Sequence, residues 1–417
     1  MDSNKFRGLL KRHIVPMFPG ANLLSDQGDP KFKGMASHDV LDLGQITLQW
    51  DQSGTIDRFT LDRYQEFSKE DAHFIRRALE NIREAEGIED SYLFEEIIPP
   101  AIRRAVAQQV APHATDLVAS LLRRLEQWAE ETYEGRPITA AIGIDPKQPT
   151  GGDVKIDEIL DMSFGVVMAN GLETFVTLAS DGSIRGYQPF PDDAVSTKVL
   201  SPLRFARLSG WTTDGRVGLA LTRNGEILVF AGKNLSFARR RGIWHYFPHE
   251  AVIDRMRASR SIEGLVAKAA YETCLDVSFA RTGGGIGILR PDKVKAVLAG
   301  DTISKDDRVG ADSPKGRFLE AIIAGRKFQE LDRRLRQDLV AIDGSTVLDP
   351  SGRILAVGAI IKINAGSDGG GRLAAAKTLG HYGLGLKISS DGAIQGFRML
   401  LIVETKKRKI WKSFQLG

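Results

Sequence analysis

Between Leu43 and Leu61 apolar and polar residues alternate, LGQITLQWDQSGTIDRFTL, on either side of Ser53-Gly54. A period of two around such a pair predicts a β-hairpin. The period then lengthens. In KEDAHFIRRALENIREAEG the residues Phe74, Ile75, Ala78, Leu79 and Ile82 recur at helical spacing, Ser68 and Asp71 stand in capping-box positions, and Gly87 supplies the stop. A second helical stretch, 91–110, is expected to be interrupted at Pro99-Pro100. A third, ATDLVASLLRRLEQWAEETYEG, sets Leu117, Val118, Leu121, Leu122, Leu125 and Trp128 on one face and closes at Gly135.

After the loop or linker PKQPTGG the texture becomes short β runs, GVVMANGLETFVTLASDGSIRGYQPF and GRVGLALTRNGEILVFAGKNLSFARRRGIWHYF. Asp181-Gly182 and Asn224-Gly225 each separate apolar runs, which predicts hairpins. DGSIRGY, NGEILVF and the later DGAIQGF look alike. Their spacing is too irregular for a repeat architecture, so they read as recurrent hairpin chemistry. From about Glu250 helices and strands intermix. A helical run ends near Ser278 and GGGIGIL supplies a buried strand. The helix SPKGRFLEAIIAGRKFQEL, a strand DLVAI and the hairpin-like DGSTVLDPSGRILAVGAII come next. A glycine-led helix and the strands GLGLKISS and AIQGFRMLLIVE close the pattern. The expected fold class is α/β: a mixed-sheet C-terminal domain (250–417) with helices on its faces. It is preceded by a mainly helical region with a β-hairpin (1–145) and a β-rich region (146–249).

Composition narrows this picture. A chain of 417 residues with 42% apolar and 26% charged residues is globular and long enough for two or three domains. The net charge of +4 is spread through charges of both signs, so it adds little for nucleic-acid binding. The basic runs Arg239–Arg241 and ETKKRKIWK read first as solvated faces, with nucleic-acid contact the less favoured reading. One cysteine, Cys274 in an apolar helical pattern, excludes a disulfide within the chain and reads as a small buried hydrophobe. A reducing cytoplasm is the expected location. No run approaches the ~18 apolar residues of a membrane span, and KFRGLLKRHIVPMF is too short and too broken for a signal peptide. His245 and His249 have a metal-like spacing, but Pro248 argues against a helix there and no third ligand is evident. His381 reads as a helix-end residue.

The candidate chemistry lies near the C-terminus, in GGGRLAAAKTL. Gly370 and Gly371 let backbone N–H groups approach a ligand, the helix that follows directs its positive end to the same spot, and Arg372 adds a planar fork for phosphate oxygens. A tight loop entering a helix is the competing explanation. Asp343, expected at the end of the strand DLVAI and followed by Gly344, suits a divalent metal or a ribose hydroxyl. It equally suits an Asx turn of its own.

As an ensemble, the segment from about Ile262 to Phe397 resembles the diadenylate cyclase family, the cyclic-di-AMP synthases. AYETCLDVSFARTGGGIGIL is similar to that family's opening helix and first core strand. DGSTVLDPSGRILAVGAII resembles its Asp-Gly-Ala motif and hairpin, GGGRLAAAKTL its Gly-Thr-Arg-His-Arg helix entry, and KISSDGAIQGF its last strand and turn. The resemblance covers roughly a third of the chain and rests on the order of weak motifs. It implies two ATP molecules held face to face across a homodimer or higher homo-oligomer. Each 3′-hydroxyl then attacks the other's α-phosphate with Mg²⁺ or Mn²⁺. Carried over by position, Asp343 would hold the metal and orient the hydroxyl, with Gly344 and Ser345 against the nucleotide. Arg372 would contact the phosphates, with Gly370 and Gly371 at the helix entry and Ser389 or Asp391 near the metal and triphosphate. The β-rich region would be a sensor-like extension. The departures are that Leu373 and Ala374 replace the family's His and second Arg, Gly371 replaces Thr, and Ser345 replaces Ala. Lys377, Lys387 and Arg281 are the cations that could compensate. Two functions stay open, a divergent cyclase and a binding or sensor module for a nucleotide or cyclic dinucleotide. A purely structural dimerisation domain accounts least for Asp343 and Arg372.

Overall fold

The computed structural model describes residues 3–24, 41–42, 44–52, 55–63, 66–84, 91–160, 174–189, 199–257, 262–300, 302–363, 370–402 and 407–417. It divides into two compact units, Met1–Pro248 and His249–Gly417. The molecule is α/β, with helices and mixed sheets in both.

In the N-terminal unit the strands β1 (Asn22–Leu23), β2 (Leu41–Asp42), β3 (Gln45–Gln52) and β4 (Thr55–Asp62) form a small antiparallel sheet in the order β1-β4-β3-β2. Gln52 pairs with Thr55, as a two-residue hairpin requires, while Ser53 and Gly54 themselves lie outside the described residues, as does Gly87. The helix Lys69–Arg83 starts at a reciprocal capping box: Ser68 Oγ accepts the Asp71 N–H at 3.0 Å and Asp71 Oδ2 accepts the Ser68 N–H at 2.7 Å. The helix Ser91–Val110 runs straight through Pro99 and Pro100, contrary to the expected break. Each proline costs a helix about 3 kcal/mol. Burial of Ile98, Ala101, Ile102, Ala105, Val106 and Ala107 in the unit's core offsets that cost. The third helix, Thr115–Trp128, buries Val118, Leu121, Leu122, Leu125 and Trp128 as its periodicity predicts.

After a two-stranded ribbon, β5 (Thr132–Tyr133) and β6 (Arg136–Pro137), comes a seven-stranded sheet. Its strands are β7 (Ala140–Ile144), β8 (Thr174–Leu178), β9 (Ile184–Pro189), β10 (Val217–Leu221), β11 (Ile227–Ala231), β12 (Asn234–Arg240) and β13 (Ile243–Tyr246), in the order β9-β8-β7-β10-β11-β12-β13. The boundary expected at residue 145 therefore falls directly after the central strand. PKQPTGG is no linker. Gly151 N–H donates to Asp181 Oδ2 (2.8 Å) and Gly152 N–H to Ser183 Oγ (2.9 Å), tying the loop to the β8–β9 turn. The stretches expected as a helical region and a β-rich region form one unit, because β7 completes the sheet that the later strands need.

The C-terminal unit holds β14 (Gly284–Leu289), β15 (Ser345–Leu348), β16 (Ile354–Ala359), β17 (Gly383–Ile388), β18 (Ile394–Ile402) and β19 (Lys407–Leu416), in the order β16-β15-β14-β17-β18-β19. DLVAI is not a strand here. It ends the helix Arg333–Ala341, whose apolar Leu339 and Val340 are buried and whose Arg336 pairs with buried Glu272 at 3.1 Å. The fragment is too short for its period to separate helix from strand, and the RRLRQ ahead of it sets the helical choice.

The two sheets repeat one topology. β7 and β14 each pair in parallel with the next strand and antiparallel with the third. Leu178↔Ile184 in the first sheet matches Leu348↔Ile354 in the second, with an irregularity just before each. Leu221↔Ile227 likewise matches Ile388↔Ile394, and bulges at Val229/Phe230 and Gly396/Phe397 follow in step. The turns agree too: Gly182, Gly352, Gly225 and Gly392 all have positive φ and donate to the residue three before them at 2.9–3.1 Å. The similarity of DGSIRGY, NGEILVF and DGAIQGF thus reflects more than hairpin chemistry. A strand-order repeat hides behind loops and helices of unequal length, which destroy any fixed period.

Candidate functional site

Side chains alternate across a strand, so Gly285 and Gly287 share one face of β14, and Gly283 precedes the strand at φ +70°. A Cβ at Gly283 would lie 2.5 Å from Arg372 Nη1, one at Gly285 2.8 Å from Ser345 Oγ, and one at Gly287 2.9 Å from Leu379. The helix Gly371–Tyr382 therefore lies on this face, its first turn over Gly283 and its third over Gly287. Contact is close: a Cβ at Gly385 of β17 would collide with Ala376 O, and one at Gly380 would lie 3.0 Å from Phe397 O. Glycines on both sides let the helix backbone approach the sheet and carry Arg372 over the start of β14.

Among the described residues the helix entry is open. Gly370, at φ +80°, serves as N-cap with no side chain to cap, and no described atom stands within 4 Å of a Cβ position at Gly370 or Gly371. Leu373 and Ala374 N–H groups are satisfied by Gly370 O at 3.1 and 3.2 Å. Gly369 lies outside the described residues.

Asp343 sits between the end of the helix Arg333–Ala341 and β15, and is exposed. The expected strand-end position is thus corrected to a helix-to-strand junction. Gly344 holds φ +104°, and a Cβ there would lie 2.5 Å from the Gly358 carbonyl carbon, so only glycine fits between β15 and β16. Ser345 is buried, its hydroxyl over Gly285. The Ser389–Ala393 turn lies at the same end of the sheet as Arg372, since Ile388 O is 3.3 Å from the Cβ position of Gly283. Ser278 Oγ donates to Gly392 O (2.5 Å) and Arg281 to Asp391 O, which pins the turn to the end of the helix Gly264–Ala280. Asp391 uses its carboxylate to accept the Ala393 N–H at 3.2 Å.

Lys387 pairs with Gly285 across β14–β17 and therefore shares the face with Ser345 and the helix. On the same lateral row Lys387 pairs with Gln395 and Gln395 with Gln415. The bulge at Gly396/Phe397 sets Phe397 opposite Lys412 while Gln395 stays opposite Gln415. Lys412 and Gln415 thereby come to one face, although three positions apart on a regular strand they would oppose each other. Lys412 Nζ donates to Gln415 Oε1 at 2.9 Å, and Gln395 Nε2 to the same oxygen at 3.2 Å. Burial, Lys387 and Lys377, in that order, push the Lys412 ammonium below its usual range.

The structure thus gathers Arg372, Gly344, Ser345 and the Ser389 turn around Gly283 and Gly285, and brings Lys387 and Lys377 each near Lys412. Gly283, Gly285, Gln395 and Gln415 are absent from the sequence reading, although the alternation within GGGIGIL is a signal for the glycines. Lys412 belongs to the basic run ETKKRKIWK, read as a solvated face, but it is half-buried, and nothing in the run marks its face, which depends on the bulge. Among the described residues no cluster of three His, Cys, Asp or Glu side chains could hold a metal. The Asp343 carboxylate is exposed and that of Asp391 accepts the Ala393 N–H, a set that suits a divalent cation only where other ligands supply most of its coordination. His249 opens a helix and its Nδ1 lies 2.8 Å from the Tyr271 hydroxyl, whereas His245 belongs to β13. Arg240, read as part of a solvated run, is buried 3.0 Å from Glu226, and Arg239 lies 3.4 Å from Glu126. Cys274 is buried, and that burial raises its thiol above the usual range. No described helix is long and apolar enough to cross a membrane. No family model matches the chain, and no curated protein does.

Proposed function

We propose that the C-terminal unit takes ATP and is a divergent nucleotidyltransferase of the diadenylate cyclase type. Two units face to face would join two ATP molecules into cyclic di-AMP. Each 3′-oxygen forms a bond to the other molecule's α-phosphorus, each α–β phosphoanhydride bond breaks, and two pyrophosphates leave. The observation that carries the reading is the convergence at one end of the sheet, where β14 begins. Arg372 lies over Gly283, just ahead of β14, and Ser345 lies over Gly285, two residues further on. The arginine fork, the helix entry and the Asp-Gly junction then lie at one end of the sheet, where a nucleotide's phosphates and ribose would be received. Phosphoryl transfer rests on positioning and charge stabilisation, which this arrangement supplies. Asp343 would orient the hydroxyl and share a Mg²⁺ or Mn²⁺ with the phosphates. A homodimer is required, because one unit cannot align two ATP molecules.

Leu373 and Ala374 favour a second reading, in which the same site binds ATP or a cyclic dinucleotide as a sensor without turnover. Incubation of the full chain with ATP and Mg²⁺ or Mn²⁺, with products analysed by mass, separates the two. Cyclic di-AMP that disappears in Asp343→Ala supports the cyclase. Binding without product supports the sensor. Absence of both product and calorimetric binding of ATP or cyclic di-AMP overturns the proposal.

A further inference from the structure

We infer that Lys377, Lys387 and Lys412 form an anion subsite of their own, built for the several charges of a polyphosphate chain. Its assignment to the β- and γ-phosphates of a nucleotide rests on the function proposed above, whereas its selectivity for multiply charged anions does not.

The subsite is assembled by three unrelated elements. Lys387 stands on central strand β17, half-buried beside Gly285, which has no side chain to cover it. Lys412 comes from edge strand β19 and reaches this face only through the bulge opposite Gly396/Phe397. Lys377 is exposed on the helix Gly371–Tyr382, which lies over both strands. The two glutamines brace the arrangement, since Gln415 Oε1 accepts from both Lys412 and Gln395.

Burial first, and the like charges of Lys387 and Lys377 after it, disfavour the Lys412 ammonium, so three cations share a partly desolvated face. A fold that tolerates the repulsion gains it back when a multivalent anion enters. The neighbouring position strengthens the assignment. Gly285 is two residues on from Gly283, the seat of Arg372, so the lysines continue the cationic surface away from the helix entry. They provide the positive charge that Leu373 and Ala374 do not.

The test is calorimetric titration of the full chain at low ionic strength with sodium tripolyphosphate, AMP and ATP. Wild type is compared with Lys387→Gln, Lys412→Gln and the double variant. Tripolyphosphate is expected to bind, the double variant to lose at least tenfold in affinity, and AMP binding to change less than twofold. Unchanged tripolyphosphate affinity in the double variant overturns the inference. Should Lys387→Gln fail to fold, exposed Lys377→Gln replaces it, with an expected loss of about threefold and the same criterion. The two proposals fail separately. ATP binding that is equal in wild type and double variant removes the assignment of the subsite to the nucleotide's phosphates and leaves the nucleotide reading. Lysine-dependent tripolyphosphate binding without ATP binding does the reverse.

Discussion

The row that carries Ser345, Gly285, Lys387, Gln395 and Gln415 in the C-terminal sheet has a counterpart in the N-terminal one. By matched register its residues are Phe175, Ala141, Ala220, Leu228 and Ala238. All five are fully buried. Over Gly143, the counterpart of Gly287, stand the Phe175 and Trp211 rings, whose centroids are 5.0 Å apart in an edge-to-face contact. One scaffold has therefore been finished in two ways. In the N-terminal unit the ground beside the central strand is filled with apolar side chains and serves as core. In the C-terminal unit the same ground carries cations, amides and a hydroxyl. What differs is a row of side chains, and a row can change without altering any strand pairing.

The contrast breaks hardest at Ala220, the counterpart of Lys387. Ala220→Lys places an ammonium in a sealed apolar row and is expected to cost about 4 kcal/mol, the equivalent of a three-unit pKa depression. Lys387→Ala should change stability by less than about 1 kcal/mol. Urea unfolding of both variants measures the difference, and equal costs would mean that the rows are not distinct in burial. Next comes the aromatic plug: Phe175→Ala is expected to lose about 3–4 kcal/mol as a core cavity opens, against about 1 kcal/mol for Ser345→Ala.

His245 on β13 of the N-terminal sheet titrates in the folded protein at about 4, lowered by burial first and then by Arg240. The unfolded chain binds this proton at about 6.5 and the folded chain does not until about 4, so stability falls as pH drops through that window. Above 6.5 the contribution is complete, and below 4 no more is lost. The expected decrement is about 3 kcal/mol, read by urea unfolding at pH 7 and pH 4 and abolished in His245→Gln. A slope that survives the substitution assigns the effect elsewhere. The smallest effect concerns the site edge. Gly283→Ala forces a side chain into φ +70° and against Arg372, with an expected cost of about 1–2 kcal/mol and a several-fold loss of ATP affinity. Retained affinity would separate Arg372 from the phosphates.

Legibility followed the range of the interactions. The capping box at Ser68 and Asp71 is a contact three residues long, and the turns at Gly182 and Gly225 need only four. Both could be read directly. Pro99 and Pro100 could not, because the burial that holds their helix together comes from residues distant in sequence. That Asp343 precedes a glycine is plain in the sequence, whereas its helix-to-strand junction is not, because the five-residue apolar run before it is too short for its period to separate helix from strand. Arg372 was legible through its glycines, whereas its seat on Gly283 was not.

Local chemistry in the chain determined the helices with caps and stripes, the two-residue turns, and the identity of a glycine-led helix entry carrying an arginine. Only the tertiary structure decided that two sheets share one strand order, that β7 joins strands read as another domain, and that Lys412 faces Lys387 and Lys377. The physical reason is that strand partners and bulges are set by pairing between distant segments. A one-residue irregularity there moves a side chain from one face of a sheet to the other, and nothing in the neighbouring sequence records it.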